Sequence, residues 1–293
     1  MNEQVKILLQ TTIPFTEDDW HIRRFSLLAE HLRSIRNAYG SPSFDVSTRD
    51  REEDEHGIDP VLSALDETDF DQLWLFAVDM GDALAPADCA GITRFRQRGG
   101  GILSTRDHND LGSSLCTLGG VGSAHYFHSK QQDPDETRRT RDDNVTVNID
   151  WPNYHSGANG DFQLIQAVDH PLLRRADGSV IQYFPSHPHE GAVGLPPEME
   201  EASVIAMSTS KVTGRTFNLL VAFENSVDPH GNLCGRAIAE SSFHHLVDYN
   251  WNPELGCPTF LEEPPGDEYK RFPERLNDVK RYVENAAAWL TRS

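Results

Sequence analysis

The feature that most limits what this chain can fold into is a set of short apolar runs separated by segments of helical period. Residues 5–10 (VKILLQ), 72–78 (QLWLFAV) and 102–105 (ILST) are too short for stable helices and lack strict polar alternation, so they read as buried strands. Between the first two, residues 17–35 place Trp20, Phe25, Leu28, Leu32 and Ile35 near one helical face, with Thr16 or Asp18 as the expected cap. Residues 36–71 are polar and acidic, with a short strand expected at 44–47. Residues 86–98 read as a helix with Pro86 in its first turn and Gly99-Gly100-Gly101 beyond its end, and residues 111–118 begin another. Such alternation predicts an α/β fold, a doubly wound and mostly parallel sheet with helices on both faces. Sheets of this kind bind ligands at the carboxyl ends of their strands. The Asp79-Met80-Gly81-Asp82 and Arg106-Asp107-His108-Asn109-Asp110 turns fall at such ends.

The second half is strand-rich. Residues 145–149 alternate, and 180–184, 203–207, 217–223 and 236–240 are further strand candidates. A closing amphipathic helix is expected over 273–290, with Leu276, Val279, Val283, Ala286 and Leu290 on one side. Residues 129–143 (SKQQDPDETRRTRDD) are an unbroken polar run, expected as an exposed excursion. No internal repeat or long linker appears, so residues 1–293 are expected to form a single domain.

Composition narrows the partners. Forty-six acids against 26 bases give a net charge of −20, and the one tight basic cluster, Arg138, Arg139 and Arg141, is flanked by acids. A nucleic-acid partner is not expected, because no basic patch neutralises phosphates. No apolar run reaches membrane-spanning length, so no membrane association is expected either. Cys89, Cys116, Cys234 and Cys257 are scattered, without a Cys-x-x-Cys pair. With no secretory signal pattern, reduced cysteines and a cytoplasmic setting are the expectation. The expected partner is a small-molecule ligand, with a homo-oligomer open.

Thirteen histidines are present, and several fall at ends of predicted strands. His108 follows residues 102–105. His125 and His128 lie in Gly122-Ser123-Ala124-His125-Tyr126-Phe127-His128, and His155 follows Asn153-Tyr154. His187, His189 and Glu190 form Ser186-His187-Pro188-His189-Glu190-Gly191, while His244 and His245 follow residues 236–240. Imidazoles that converge at one sheet edge can move protons or hold a metal. A divalent metal such as zinc would draw on His187, His189, His125 and His128, although none of these spacings is the His-Glu-x-x-His of a helical zinc site. A nucleophilic hydrolase is not supported: no Gly-x-Ser-x-Gly exists, Ser104 lies within a strand, and Cys116 falls too late to tip the turn. Leu118-Gly119-Gly120-Val121-Gly122 is not a dinucleotide fingerprint, and no phosphate loop occurs, so no nucleotide cofactor is expected.

The order of a strand at 72–78, a helix at 86–98, a triple glycine, a strand at 101–105 and a sharp polar turn resembles the central unit of class I glutamine amidotransferase-like proteins, a flavodoxin-like arrangement. Within that superfamily it resembles the ThuA-like (trehalose utilisation) branch, which carries a Gly-Gly-Gly strand here. His170-Pro171-Leu172-Leu173 looks like that branch's His-Pro-Ile segment, and Gly235-Arg236-Ala237-Ile238-Ala239, leading to Phe243-His244-His245, is similar to its Gly-Arg-Val strand. The superfamily's glutaminase nucleophile, a Cys at the turn, is missing: the turn here is Arg106-Asp107-His108. The resemblance implies a pocket over that turn bounded by His108 and by His244 or His245, and a link to carbohydrate metabolism, some members being thought to act on oxidised glycosides. The 129–143 excursion and the His187-Pro188-His189-Glu190 cluster depart from the family pattern.

Two readings follow. In the first, the chain is an enzyme acting on a small polar, carbohydrate-derived molecule. Asp107 and His108 sit at the turn, His245 faces them as acid or base, and Asp248 orients a histidine. Glu190, His187 and His189 line the opposite wall, and Arg106, His125, His128, His155 and His244 bind substrate or complete the wall. In the second, a non-catalytic ligand-binding or assembly subunit keeps the fold without the nucleophile. A metal-dependent hydrolase is a third alternative. The first reading requires His108 and His245 to reach one cavity.

Overall fold

The structure, a computed structural model, describes residues 4–17, 20–118, 120–196, 199–227, 230–257 and 263–291. Its centre is one eight-stranded sheet. In chain order the strands are β1 (Val5–Thr11), β2 (Phe44–Arg49), β3 (Gln72–Phe76), β4 (Gly101–Thr105), β5 (Gln166–Ala167), β6 (Ala202–Thr209), β7 (Thr216–Phe223) and β8 (Ala237–Glu240). Across the sheet the order is β2-β1-β3-β4-β8-β7-β6-β5. The β2, β1, β3, β4 and β8 strands run parallel. From β8 outward the pairing is antiparallel, so the sheet is mixed rather than mostly parallel.

Successive residues of one strand feed opposite faces. Ile7, Leu9, Trp74 and Phe76 join one apolar cluster, while Leu8, Leu73, Leu75 and Ala77 join the other. Three longer helices cover them: α1 (Ser26–Ser34), α2 (Pro86–Gln97) and α3 (Leu276–Trp289). Leu28 and Leu32 of α1 pack in the first cluster with Val279 and Val283 of α3, whereas Ile92 and Phe95 of α2 pack in the second. A large mixed sheet with helices packed against it is an α/β fold. Each buried Leu or Phe contributes about 1.5–3 kcal/mol. Within the triple glycine, Gly101 is a packing requirement: a Cβ there would stand 2.3 Å from the Leu290 carbonyl oxygen at the end of α3.

Several expectations are corrected. The helix expected over 17–35 is α1 alone, preceded by a short 3-10 turn, Ile22–Phe25, so Thr16 lies well upstream of it, and Asp18 lies outside the described residues. The N-terminus of α1 is instead capped from far along the chain. Asp248 accepts from Ser26 Oγ at 2.6 Å and from the Leu27 amide at 2.8 Å. Asp248 is thereby committed to the helix and orients no histidine. Asp248→Ala is expected to lower stability by about 1–2 kcal/mol, as loss of a capping carboxylate does, without changing ligand binding; a loss of binding at unchanged stability, in urea unfolding and thermal-shift assays, would overturn this assignment.

Residues 145–149 form turns rather than a strand, because no described strand pairs with them; Val145 and Val147 remain 59% and 60% exposed. The helix expected from 111 is a 3-10 turn, Ser113–Thr117. The 129–143 excursion is pinned rather than free. Asp133, Asp142 and Asp143 are buried, with Arg138 on Asp133 and Arg215 on Asp142 at 3.2 and 3.7 Å. Among the described residues no helix is long and apolar enough to cross a membrane.

Candidate functional site

Parallel pairing of β4 with β8 sets the site. Thr105 lies opposite Glu240, so the residues that leave both strands emerge side by side at their carboxyl ends. After β4 the chain turns sharply, with Asn109 at a left-handed φ of 48°, a conformation Asn tolerates better than most residues. After β8, Ser242 caps the short turn Phe243–His245. A third segment, 187–191, is tied in by the Gly191 amide, which donates to the Ser241 carbonyl at 3.1 Å. A Cβ at Gly191 would stand 2.5 Å from the carbonyl oxygens of both Asp107 and Ser241, so only glycine lets the three segments meet.

Asp107 is the centre. Its carboxylate is buried and accepts from His108 Nδ1 at 2.9 Å, Ser242 Oγ at 3.0 Å and His244 Nε2 at 3.2 Å, with His187 Nε2 at 3.6 Å. The His187 and His244 rings stack with centroids 3.3 Å apart. Tyr249 OH donates to His244 Nδ1, which leaves the proton of that ring on Nε2, facing Asp107. Nδ1 of His187 donates to Asn159 Oδ1 at 2.8 Å, and Nδ1 of His189 to Asn153 Oδ1 at 3.1 Å. Both rings therefore carry their free lone pair on Nε2.

Burial by itself would raise the Asp107 carboxyl, but the imidazoles of His244, His187 and His108 outweigh it and hold the group well below the usual carboxylate range. Burial and the adjacent His244 push His187 down to about 3, and burial with His187 and His108 does the same to His189. Burial also lowers His244, against the opposing pull of Asp107. At neutral pH His187 and His189 are therefore neutral imidazoles beside an ionised Asp107: good acceptors and ligands, and poor acids.

A cavity of about 690 Å³ opens over this centre. Asp107, His108, His187, His189 and His244 lie on its wall, with Asn159 beside them. Trp20, Val145 and Val147 add apolar lining, and Glu263 adds a carboxylate.

The other expected site residues lie elsewhere. His245 is fully buried behind the cavity, with Nε2 3.2 Å from Glu190 and Nδ1 3.6 Å from Glu240. Burial alone would lower it, but those two carboxylates win and push it up to about 10. It does not face Asp107. Glu190 is buried as well, accepting from Gln163 at 2.6 Å, Ser156 at 3.0 Å and Ser241 at 3.1 Å. Arg106 does not line the cavity: its buried guanidinium sits 4.0 Å from the Phe127 ring centre and donates to the Asp107 and Asn109 carbonyls, and burial pulls it down to about 9. His125 is fully buried against Ser104 Oγ at 2.9 Å, burial and Arg106 pushing it to about 3. The His128 ring packs 5.7 Å from Trp151, and His155 Nε2 lies 3.3 Å from Glu263; neither lines the cavity. The side chain of Cys116 lies outside the described residues.

Asn159, Asn153, Ser242 and Tyr249 were missed. Gly157-Ala158-Asn159-Gly160 carries a faint signal, a polar residue in a glycine-bounded turn, but nothing marks its partner. Asp79, flagged at the end of β3, is spent internally on Thr12 Oγ1 at 2.7 Å and Ser114 Oγ at 2.8 Å.

No family model matches the chain, and no curated protein matches it. Among solved structures it is similar to the cytoplasmic protein STM3548 from Salmonella typhimurium, at 12% identity and a TM-score of 0.45, over 99% of this chain and 100% of that one. It is similar to the glutaminase domain of Trypanosoma brucei CTPS with bound acivicin, at 15% identity and a TM-score of 0.48, over 99% and 98%. A third similarity, to a ThuA-like protein from Parabacteroides merdae, has 14% identity and a TM-score of 0.40, over 82% and 79%. These likenesses concern architecture; the α/β assignment rests on the sheet itself.

Proposed function

We propose that this chain is a ThuA-like, doubly wound enzyme without a glutaminase nucleophile, acting in the cytoplasm on a small polar, carbohydrate-derived molecule. One observation carries the reading: a buried carboxylate, Asp107, meets three imidazoles, His108, His187 and His244, at the wall of one cavity. Its volume, about 690 Å³, suits a sugar-sized ligand. Asp107 stands in the turn where the resemblance places the superfamily's nucleophile. His244, rather than His245, is the partner contributed by the second strand end, and Ser242 and Tyr249 hold the acceptor and its neighbour in place.

Withdrawal of His245 from the cavity favours the second reading, a binding domain without turnover. Thermal-shift screening of sugars and keto-sugars, followed by product analysis on the hits, separates the two. A ligand at about 100 times its Kd adds roughly 2.7 kcal/mol to stability, a readable shift in Tm. Asp107→Asn is expected to abolish both the shift and any turnover. Binding with no product would leave only the second reading. Binding that survives Asp107→Asn would overturn both.

A further inference from the structure

Asp107, His108 and His187 each offer one ligand atom, and the three atoms lie within 4.8 Å of one another. His187 is 1% exposed, and its Nε2 has no hydrogen-bond partner among the described residues. The nitrogen is not idle by accident of orientation. Asn159 holds Nδ1 at 2.8 Å, which fixes the ring and aims Nε2 at Asp107 Oδ2, 3.6 Å away. A buried acceptor left without a partner is unfavourable, which argues that something occupies the space it faces. Two ligands bound to zinc at about 2.0–2.1 Å and at the tetrahedral angle stand about 3.4 Å apart. The separation of Asp107 from His187 is close to that width.

We infer that Asp107, His108 and His187 bind one divalent first-row cation, zinc or an ion of similar ligand preference. The inference rests on the reading of the same cavity as the functional site and deepens it. Two nitrogens and one carboxylate oxygen leave coordination positions open, the pattern of a catalytic site rather than a closed structural one. All three residues line the cavity, so those positions face it and take a hydroxyl or carbonyl oxygen of the ligand. Asn159 positions His187, and Ser242 and His244 position Asp107, as outer partners of metal ligands do. Of the four histidines that sequence spacing offers as ligands, only His187 belongs to this group. His189 stands next to it, ring centre 5.5 Å away, with its own Nδ1 held by Asn153.

The test is titration of the chelator-treated, full-length protein with zinc and with cobalt(II), followed by calorimetry and by the visible absorption of cobalt. Binding of about one equivalent is expected, with cobalt bands of mixed nitrogen and oxygen ligation. Asp107→Asn and His187→Gln are expected to weaken binding by about 100-fold or more, and Asn159→Ala, which leaves all three ligands in place, by about 10- to 100-fold. His128→Gln, away from the cavity, is expected to bind as the parent does. The Asn159→Ala variant keeps the inference testable if the ligand variants fail to fold. Absence of saturable binding, or binding in His187→Gln and Asn159→Ala as tight as in the parent, would overturn the inference. If sugars still shift the chelated parent protein while zinc does not bind, the metal site falls and the cavity reading stands. If zinc binds through these residues and no sugar or keto-sugar does, the metal site stands and the proposed substrate class falls.

Discussion

His245→Ala is expected to cost about 3–5 kcal/mol of folding stability, the penalty of leaving buried carboxylates without their cation. Glu190 and Glu240 flank the imidazole at 3.2 and 3.6 Å, and all three side chains are sealed from solvent. Tyr282 OH donates to Glu240, and Ser156, Gln163 and Ser241 donate to Glu190, so the anionic sites are built and only the cation is removed. At roughly 2–4 °C per kcal/mol for a large domain, Tm falls by about 10 °C. The pH dependence follows from the direction of the shift. The folded-state value, about 10, lies above the ordinary imidazole value of 6.5. The contribution of His245 is therefore complete below about 6.5, shrinks as pH rises beyond it and is gone above about 10. Urea unfolding of the parent at pH 7 and 9.5 should show that decline, and His245→Gln should flatten it. A parallel decline in parent and variant, or a stability loss under about 1 kcal/mol, would refute the buried-cation assignment.

The second large effect is expected at Gly191, for a different reason. Its φ is not left-handed, so glycine is needed there for space alone. An added methyl meets two carbonyl oxygens at 2.5 Å and Arg106 Nε at 2.7 Å, two of the three being backbone atoms that have no rotamer to yield. Gly191→Ala is expected to cost about 3 kcal/mol by overpacking. The functional effect should be larger. The only relief is to part the 187–191 segment from the Asp107 turn, which carries His187 and His189 off the carboxylate. A displacement of about 1 Å at such a centre weakens ligand binding or turnover by about 100-fold. Chemical unfolding read together with the thermal-shift assay checks this. A variant that binds like the parent would show that the three segments need not touch.

The parts of the fold legible in the sequence are those whose burial is local. Residues 72–78 and 102–105 read as buried strands because, Gln72 apart, their side chains are apolar or small, and they fall on β3 and β4. The closing helix reads correctly because its apolar stripe, Leu276 to Leu290, carries its own period. Residues 145–149 show why the same logic fails: alternation marks a strand only if a partner edge is present, and here Val145 and Val147 serve the cavity wall instead.

The candidate site divides the same way. Asp107, His108, His187, His189 and His244 could be named from sequence because each follows a strand or sits among turn residues. Which of thirteen histidines converge could not. Adjacent residues separate: His244 turns to Asp107 while His245 turns into a closed pair of carboxylates, since consecutive side chains leave a short turn in different directions. Asp248 looks like a catalytic orienter and is a helix cap, because its partner, the start of α1, lies over two hundred residues away.

By itself, then, the sequence determined that buried strands and amphipathic helices would combine into an α/β fold, and that polar turns would end its strands, because apolar period and turn chemistry are local properties. Tertiary structure alone decided that β8 pairs with β4, that Gly191 admits a third segment, and that His187 is left with a lone pair facing Asp107. Those outcomes depend on distances between segments far apart in the chain, which no local pattern encodes.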